Sequence, residues 1–182
     1  MALPYREAPS TTQYLLIYMF YKTTSSKQTK KFAGFLAKEI LDSDGRVRIA
    51  GAAWRRRAIR MPKNALILAL SGNLGSGKTT FVQGFLRAAG IRKKITSPTF
   101  VLIKNYKIQT ENYKRAYHVD CYRIKKSKEL LGSGLKEILN NPENTVLIEW
   151  PERIKKILPK DSIWIKFKHG EKENKRILKF KQ

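Results

Sequence analysis

Acidic side chains are scarce in this sequence: 14 Asp and Glu stand against 38 Lys and Arg in 182 residues, for a formal charge of +24. A single cysteine, Cys121, leaves no disulfide framework. With only two histidines, a metal cluster built on His is excluded. The longest strongly apolar run near the N-terminus, Tyr14 to Tyr21, has eight residues and cannot cross a bilayer as a helix. Residues 1–13 also lack the charged start and small-residue cleavage pattern of an export signal. Together these absences predict a cytoplasmic protein with no membrane segment. What is present is a 42% hydrophobic content, enough for a sizeable core and too high for wholesale disorder. The expected organisation is a loose leader at 1–13 and a single domain over 14–182.

The positive charge is spread along the chain. Residues 1–62, 63–110 and 111–182 each carry a net +8, and the middle stretch has no acidic residue at all. Local concentrations occur at Arg55–Arg57 with Arg60, at Arg92-Lys93-Lys94, at Lys125-Lys126 and at Lys155-Lys156. Clustered cations of this kind suit phosphate contacts on RNA. An ordinary solvated surface in a generally basic proteome accounts for them as well, and sequence order does not show which positions share a face.

Tyr14 to Lys22, rich in aromatic and branched residues, reads as a strand. The cap-forming TTSSKQ segment then opens a helix over about 26–41, with Phe32, Phe35, Leu36, Ile40 and Leu41 as its buried stripe. Asp42 to Gly45 stops it. Residues 46–62 hold six arginines and Trp54 and read as a basic insertion, either pinned to the body by the indole or contacting nucleic acid. Ala65 to Ser71 is a continuous apolar run, as expected of a central strand covered on both faces. A helix over about 78–89 follows, closed by Gly90. Further strands are expected at 100–106, 116–121 and 145–149, with a broken helical region at 127–139 and a short helix after Pro151. Alternation through Ile163, Ile165 and Phe167 and a last strand near 176–180 predict a C-terminal hairpin. The fold class is α/β, a three-layer sandwich with a mixed parallel and antiparallel sheet.

Between the apolar strand and the helix, Gly72-Asn73-Leu74-Gly75-Ser76-Gly77-Lys78-Thr79 satisfies the phosphate-loop pattern G-x-x-x-x-G-K-[ST]. Glycines let the backbone wrap closely enough to turn several N–H groups toward a polyphosphate, and the helix N-terminus adds positive potential. Lys78 is placed to reach the β- and γ-phosphates and the Thr79 hydroxyl to ligate Mg²⁺, with Thr80 a further neighbour. Such a site needs carboxylates. Asp120 and Glu149 each close an apolar run, and an acidic residue at the C-terminal end of a sheet strand faces the ligand crevice. Either could meet the metal while the other polarises a water; sequence does not assign the roles. His118 lies two residues before Asp120 and either orients it or packs in the core. Cys121 is expected to pack.

Four segments in this order, LSGNLGSGKTTFVQGFLRAAGI (70–91), SPTFVLIKNY (97–106), YHVDCYRI (117–124) and LIEWPERI (147–154), make the chain resemble the TsaE family (also YjeE), P-loop ATPases of bacterial threonylcarbamoyladenosine tRNA modification. The phosphate loop alone is shared by many functions; its combination with SPTF, HxDxYR and IEWP is specific. The resemblance implies phosphate binding by Gly72 to Thr80 and a switch-like segment at Ser97 to Phe100, in which Thr99 senses the γ-phosphate or its metal. It implies an essential Asp120 followed by Tyr122 and Arg123, a Glu149 associated with Mg²⁺ and catalysis, and a nucleotide-side Trp150, for which edge packing is the competing role. It further implies ATP and Mg²⁺ as ligands and the TsaD and TsaB proteins as partners, with tRNA approached through them and through the basic segments. Hydrolysis by the isolated protein is expected to be weak. Two features depart from the family: the length of 46–62 and the high charge. A small-molecule kinase and a nucleotide-switched RNA-binding module are the alternative functions.

Overall fold

The computed structural model of the chain describes residues 20–41, 64–98, 102–125, 127–130, 132–172 and 174–181. The expected leader at 1–13, the strand start at 14–19, the helix stop at 42–45, the insertion at 46–62, Lys126, and Thr99 and Phe100 lie outside the described residues. The elements run β1 (Phe20–Thr23), α1 (Ser26–Leu41), β2 (Leu66–Ser71), α2 (Lys78–Ala88), β3 (Ile103–Lys107), β4 (Arg115–Asp120), a 3-10 turn (Ser127–Leu130), α3 (Leu135–Asn140), β5 (Asn144–Glu149), a 3-10 segment (Pro151–Ile157), β6 (Ile163–His169) and β7 (Arg176–Lys181).

β2 and β5 are buried at every position, which is why β2 reads as an unbroken apolar run and β5 carries Val146-Leu147-Ile148 at its centre. They lie at the middle of a seven-stranded sheet of order β1-β7-β6-β2-β5-β4-β3. β6, β2, β5 and β4 are mutually parallel, while β3, β7 and β1 pair antiparallel toward the edges. The mixed sheet and the β6–β7 hairpin are therefore as expected. The broken helical region resolves into the 3-10 turn and α3, separated by Gly132 and Gly134, both at positive φ. Of the strand expected over 100–106, the described part begins at Ile103; Leu102 holds a left-handed φ of 66° and stays out of the pleat.

Helices cover both faces. α1 and α2 bury Phe32, Leu36, Phe81, Phe85 and Leu86 against the even positions of β2, while α3 and its neighbours pack Leu135, Leu139 and Ile154 on the opposite face with Ile67, Val146 and Ile148. An aromatic chain knits the first layer, with Tyr21 stacked on Phe32 at 3.9 Å and Phe81 edge-on to Phe167 at 5.6 Å. Phe35, expected in the buried stripe, is instead 42% exposed. The inward face of α1 is centred on Phe32, Ala33, Leu36, Ala37 and Ile40, and 100° per residue turns Phe35 off its flank. The N-terminus of α1 is capped reciprocally: Gln28 N–H donates to Ser25 Oγ at 3.2 Å, and Thr24 N–H donates to Gln28 Oε1 at 2.7 Å. At the end of α2, Ile91 N–H reaches Leu86 O and Gly90 N–H reaches Arg87 O, the Schellman arrangement that glycine at positive φ permits. Among the described residues no helix is long and apolar enough to cross a membrane.

The two helices of the first layer cross at a pair of glycines with different clearances. A Cβ added at Gly84 would lie 2.4 Å from the Lys30 carbonyl oxygen, whereas one added at Gly34 would make only ordinary contacts, 3.5 Å from Ala88 Cβ and 3.6 Å from the Gly84 carbonyl oxygen. Gly84→Ala should therefore push α1 away and lower stability by about 1–3 kcal/mol. Gly34→Ala should be neutral or stabilising by up to about 1 kcal/mol, from helix propensity alone. Urea denaturation of the two variants measures the contrast.

Candidate functional site

The turn from β2 into α2 places residues 72–77 at the C-terminal edge of the parallel strands. Gly72 has a φ of +140°, and a Cβ there would fall 2.4 Å from the Phe167 carbonyl oxygen, so the loop leaves β2 hard against β6. Gly75 and Gly77 also hold positive φ, 71° and 99°. Gly77 is the N-cap of α2 and offers no side chain to cap it, which leaves the first N–H groups of an 11-residue helix available to an anion. Ser76 Oγ is buried and, among the described residues, has no hydrogen-bond partner. A cradle of glycines, an uncapped helix start and one orphaned hydroxyl fit a phosphate group. Asn73 and Leu74 form the exposed crest, and Thr80 is half-buried one residue into the helix from Thr79.

Lys78 is 4% exposed and donates Nζ to the carbonyls of Gly72 at 2.7 Å and Asn73 at 2.9 Å. Its ammonium also sits 4.0 Å from the centre of the Trp150 ring. Burial pushes the Lys78 pKa below the ordinary lysine range, against partial compensation by Glu149, Glu152 and Asp120. Trp150 occupies a left-handed backbone conformation, φ 58°. A bulky residue holds such a conformation at a cost of about 1–3 kcal/mol, and here it turns the indole to the lysine and to Tyr122, whose ring lies 5.1 Å away. The indole thus packs against the core beneath and also faces the phosphate-loop lysine.

β4 and β5 pair parallel with Asp120 directly beside Glu149, so both carboxylates emerge on the α2 side of the sheet. Thr79 Oγ1 lies 2.9 and 3.0 Å from the two Glu149 oxygens and donates to that carboxylate. Asp120 is held differently: Ser97 Oγ donates to Oδ2, and Tyr122 N–H donates to Oδ1 at 3.0 Å. His118 is fully buried and its Nε2 meets Glu149 Oε1 at 2.9 Å. Of the two roles open to His118, orienting Asp120 or packing in the core, the structure shows a buried ring bonded instead to Glu149, reached diagonally across the β4–β5 pair, in which His118 is in register with Leu147 and Asp120 with Glu149. No group of three or more His, Cys, Asp or Glu able to hold a metal occurs among the described residues. The donor set at Thr79 and the two carboxylates is all oxygen, which suits Mg²⁺ completed by phosphate oxygens and water.

Two residues escaped the sequence reading. His169 Nε2 lies 3.2 Å from Leu74 O, and Arg176 Nη2 donates to Gly75 O at 3.2 Å, so the β6–β7 hairpin clasps the outside of the loop. Their only sequence signal is placement at the two ends of a predicted hairpin turn. Arg123, carried in the same motif as Asp120, lies exposed beside Tyr122, while Cys121 is buried and free.

The TsaE family profile, described as threonylcarbamoyl adenosine biosynthesis protein TsaE, matches residues 23–178. Among curated proteins, the tRNA threonylcarbamoyladenosine biosynthesis protein TsaE of Rickettsia typhi is 35% identical over 159 residues, 87% of this chain and 91% of its own length. The protein of the same name from Rickettsia prowazekii is 34% identical over 84% of this chain and 88% of its own. That of Bacillus subtilis is 36% identical, over 61% of this chain and 66% of its own. Among solved structures, the crystal structure of Bacillus subtilis YdiB superposes with a TM-score of 0.61 at 25% identity, covering 88% of this chain and 82% of that one.

Two measurements follow from the electrostatics. The affinity for a fluorescent ADP should fall with rising pH below the range in which a solvated lysine titrates, and Lys78→Arg, which keeps its charge, should flatten that fall. The Cys121 thiol is pushed up to about 12, by burial first and then by Asp120 and Glu152. It should not react with a disulfide reagent near pH 8 until the chain is unfolded.

Proposed function

The chain belongs to the TsaE family of threonylcarbamoyl adenosine biosynthesis proteins, and from that premise we propose that it hydrolyses ATP in the presence of Mg²⁺, supporting repeated threonylcarbamoyl transfer to adenosine 37 of tRNA by a TsaD–TsaB complex. The family works in the formation of threonylcarbamoyladenosine on tRNA, and its phosphate loop is that of a P-loop nucleotide-binding fold. The observation that carries the hydrolytic reading is the Thr79–Glu149 hydrogen bond, which joins the phosphate loop to the end of β5.

In this reading the backbone N–H groups at the start of α2 and the Ser76 hydroxyl bind the polyphosphate. Lys78 transfers its ammonium from the Gly72 and Asn73 carbonyls to the β- and γ-phosphate oxygens, with Trp150 limiting its excursion. Thr79, Glu149 and Asp120 would hold Mg²⁺ directly or through water. The ion would supply positive charge to offset that developing on the phosphate. By donating its hydroxyl proton to Glu149, Thr79 keeps an oxygen lone pair turned outward for a cation. His118 fixes the Glu149 carboxylate from behind. A water oxygen bonds the γ-phosphorus as the bond to ADP breaks; ADP keeps the electron pair, and the water proton passes to a site carboxylate or to solvent. Asp120, bonded to Ser97, connects this chemistry to the segment leading to Thr99. That connection offers a route by which a partner complex could complete the site.

Phosphate release from Mg²⁺-ATP, measured with the protein alone and with TsaD, TsaB and tRNA, tests the reading. Hydrolysis should rise on adding the partners and fall about 100-fold or more in Lys78→Ala and in Glu149→Ala. ATP binding without hydrolysis or added modification in an active mixture would refute it and turn attention to a phosphorylated acceptor.

A further inference from the structure

We propose that the groove between α1 and α2 is a binding site for the phosphodiester backbone of RNA. The groove has a volume of about 540 Å³ and is lined by Lys30 and Lys31 from α1, Arg87 from α2, and Lys94 and Thr96 from the segment that follows, with Gly34, Gly84 and Gln83 among its other lining residues. Its construction is specific. Gly84 lets the α1 backbone pass against α2 at Lys30, which brings the α1 lysines alongside Arg87. Arg87 Nη1 donates to the carbonyls of Ile91 and Arg92, and Gln83 Nε2 to that of Ile95. These bonds hold the basic turn Arg92-Lys93-Lys94 along the same edge, so cations distant in sequence form both walls.

Among the described residues, none of those lining the groove is acidic, and residues 26–38 and 63–110 contain no Asp or Glu. A site walled on two sides by cations, with no acid in its lining, favours an extended polyanion over a single ion. A basic excess elsewhere on the surface strengthens long-range attraction but gives no such geometry. The groove also adjoins the nucleotide site, since Thr96 lines it and Ser97 donates to Asp120. The choice of RNA over another polyanion rests on the proposed role in tRNA modification; the groove itself does not depend on ATP hydrolysis.

The test is fluorescence anisotropy of a labelled, unmodified tRNA transcript titrated with the full chain across a salt series, for the double variant Lys30→Glu/Lys94→Glu. A control carries the same charge change at Lys136 and Lys160, both exposed and away from the groove. The groove variant should bind about tenfold more weakly or worse, with the slope of log affinity against log salt reduced by roughly 1.4–1.8 for two lost phosphate contacts. The control should change less than about threefold. ADP affinity and thermal melting are read in parallel, and Lys30→Gln/Lys94→Gln replaces the reversal if that variant does not fold. Equal weakening in groove and control variants, or no tRNA binding by the native chain, overturns the proposal. So does a groove variant that keeps its RNA affinity but no longer assembles with TsaD–TsaB, which would assign the groove to an acidic protein surface. Loss of RNA binding with partner-stimulated hydrolysis intact refutes neither reading. Absent hydrolysis with groove-dependent RNA binding refutes only the proposed function.

Discussion

The parallel pairing of β2 with β5, and of β5 with β4, is the constraint on which the site depends. It aligns Leu70 with Glu149 and Glu149 with Asp120 at one edge of the sheet, just where the chain turns through Gly72 toward α2. Strands spaced about 4.8 Å apart leave adjacent side chains within reach of one another. The His118–Glu149 hydrogen bond spans that spacing diagonally, and Thr79 reaches Glu149 from the first turn of α2. A one-residue slip of β5 would turn Glu149 to the opposite face and place an apolar neighbour against Thr79. Register here is secured by burial of β2 and β5 on both faces, since a slipped strand would lose its packing on both layers.

Within that frame the charges are arranged to be movable. The Lys78 ammonium is almost wholly buried, yet its partners are two loop carbonyls and an aromatic face, with the carboxylates acting on it from a distance. Carbonyl partners satisfy its donors without the strong pairing of a direct ion pair. Glu149 is anchored by His118 on one side and Thr79 on the other, and Asp120 by Ser97 and a backbone N–H. Two neighbouring carboxylates are thus held by different hydrogen-bond donors, in a protein otherwise crowded with positive charge.

The antiparallel hairpin contributes what the parallel strands cannot. Its first strand supplies the Phe167 carbonyl that forbids any side chain at Gly72, and its ends supply His169 and Arg176 to the outer carbonyls of the loop. The phosphate loop is therefore supported from behind as well as from below. α1 plays a comparable part for α2, lying directly on Gly84 and stacking Phe32 among the aromatic residues beneath the helix.

Local pattern was enough to read the phosphate loop, the apolar central strands, the helices beginning at Ser26 and Lys78, and Asp120 and Glu149 as the carboxylates at strand ends. These features are set by residue type and spacing over a few positions: glycines for a turn, continuous apolar residues for a strand buried on both faces, a 3.6-residue period for a helix. The rest depends on pairings between distant segments. Phe35 left the core because the α1 face is chosen by what α2 and the sheet present. Leu102 stays out of β3 through a backbone angle that composition does not encode. His118 met Glu149 diagonally across the β4–β5 pair, a contact that appears only once the two strands are laid side by side. His169, Arg176 and the basic walls between α1 and α2 acquired partners only through the sheet order and the glycine crossing. The sequence by itself determined the chemistry available at each strand end and loop; the tertiary structure alone decided which groups meet, because contacts across a sheet or between helices are fixed by packing of both faces at once, a condition no single segment contains.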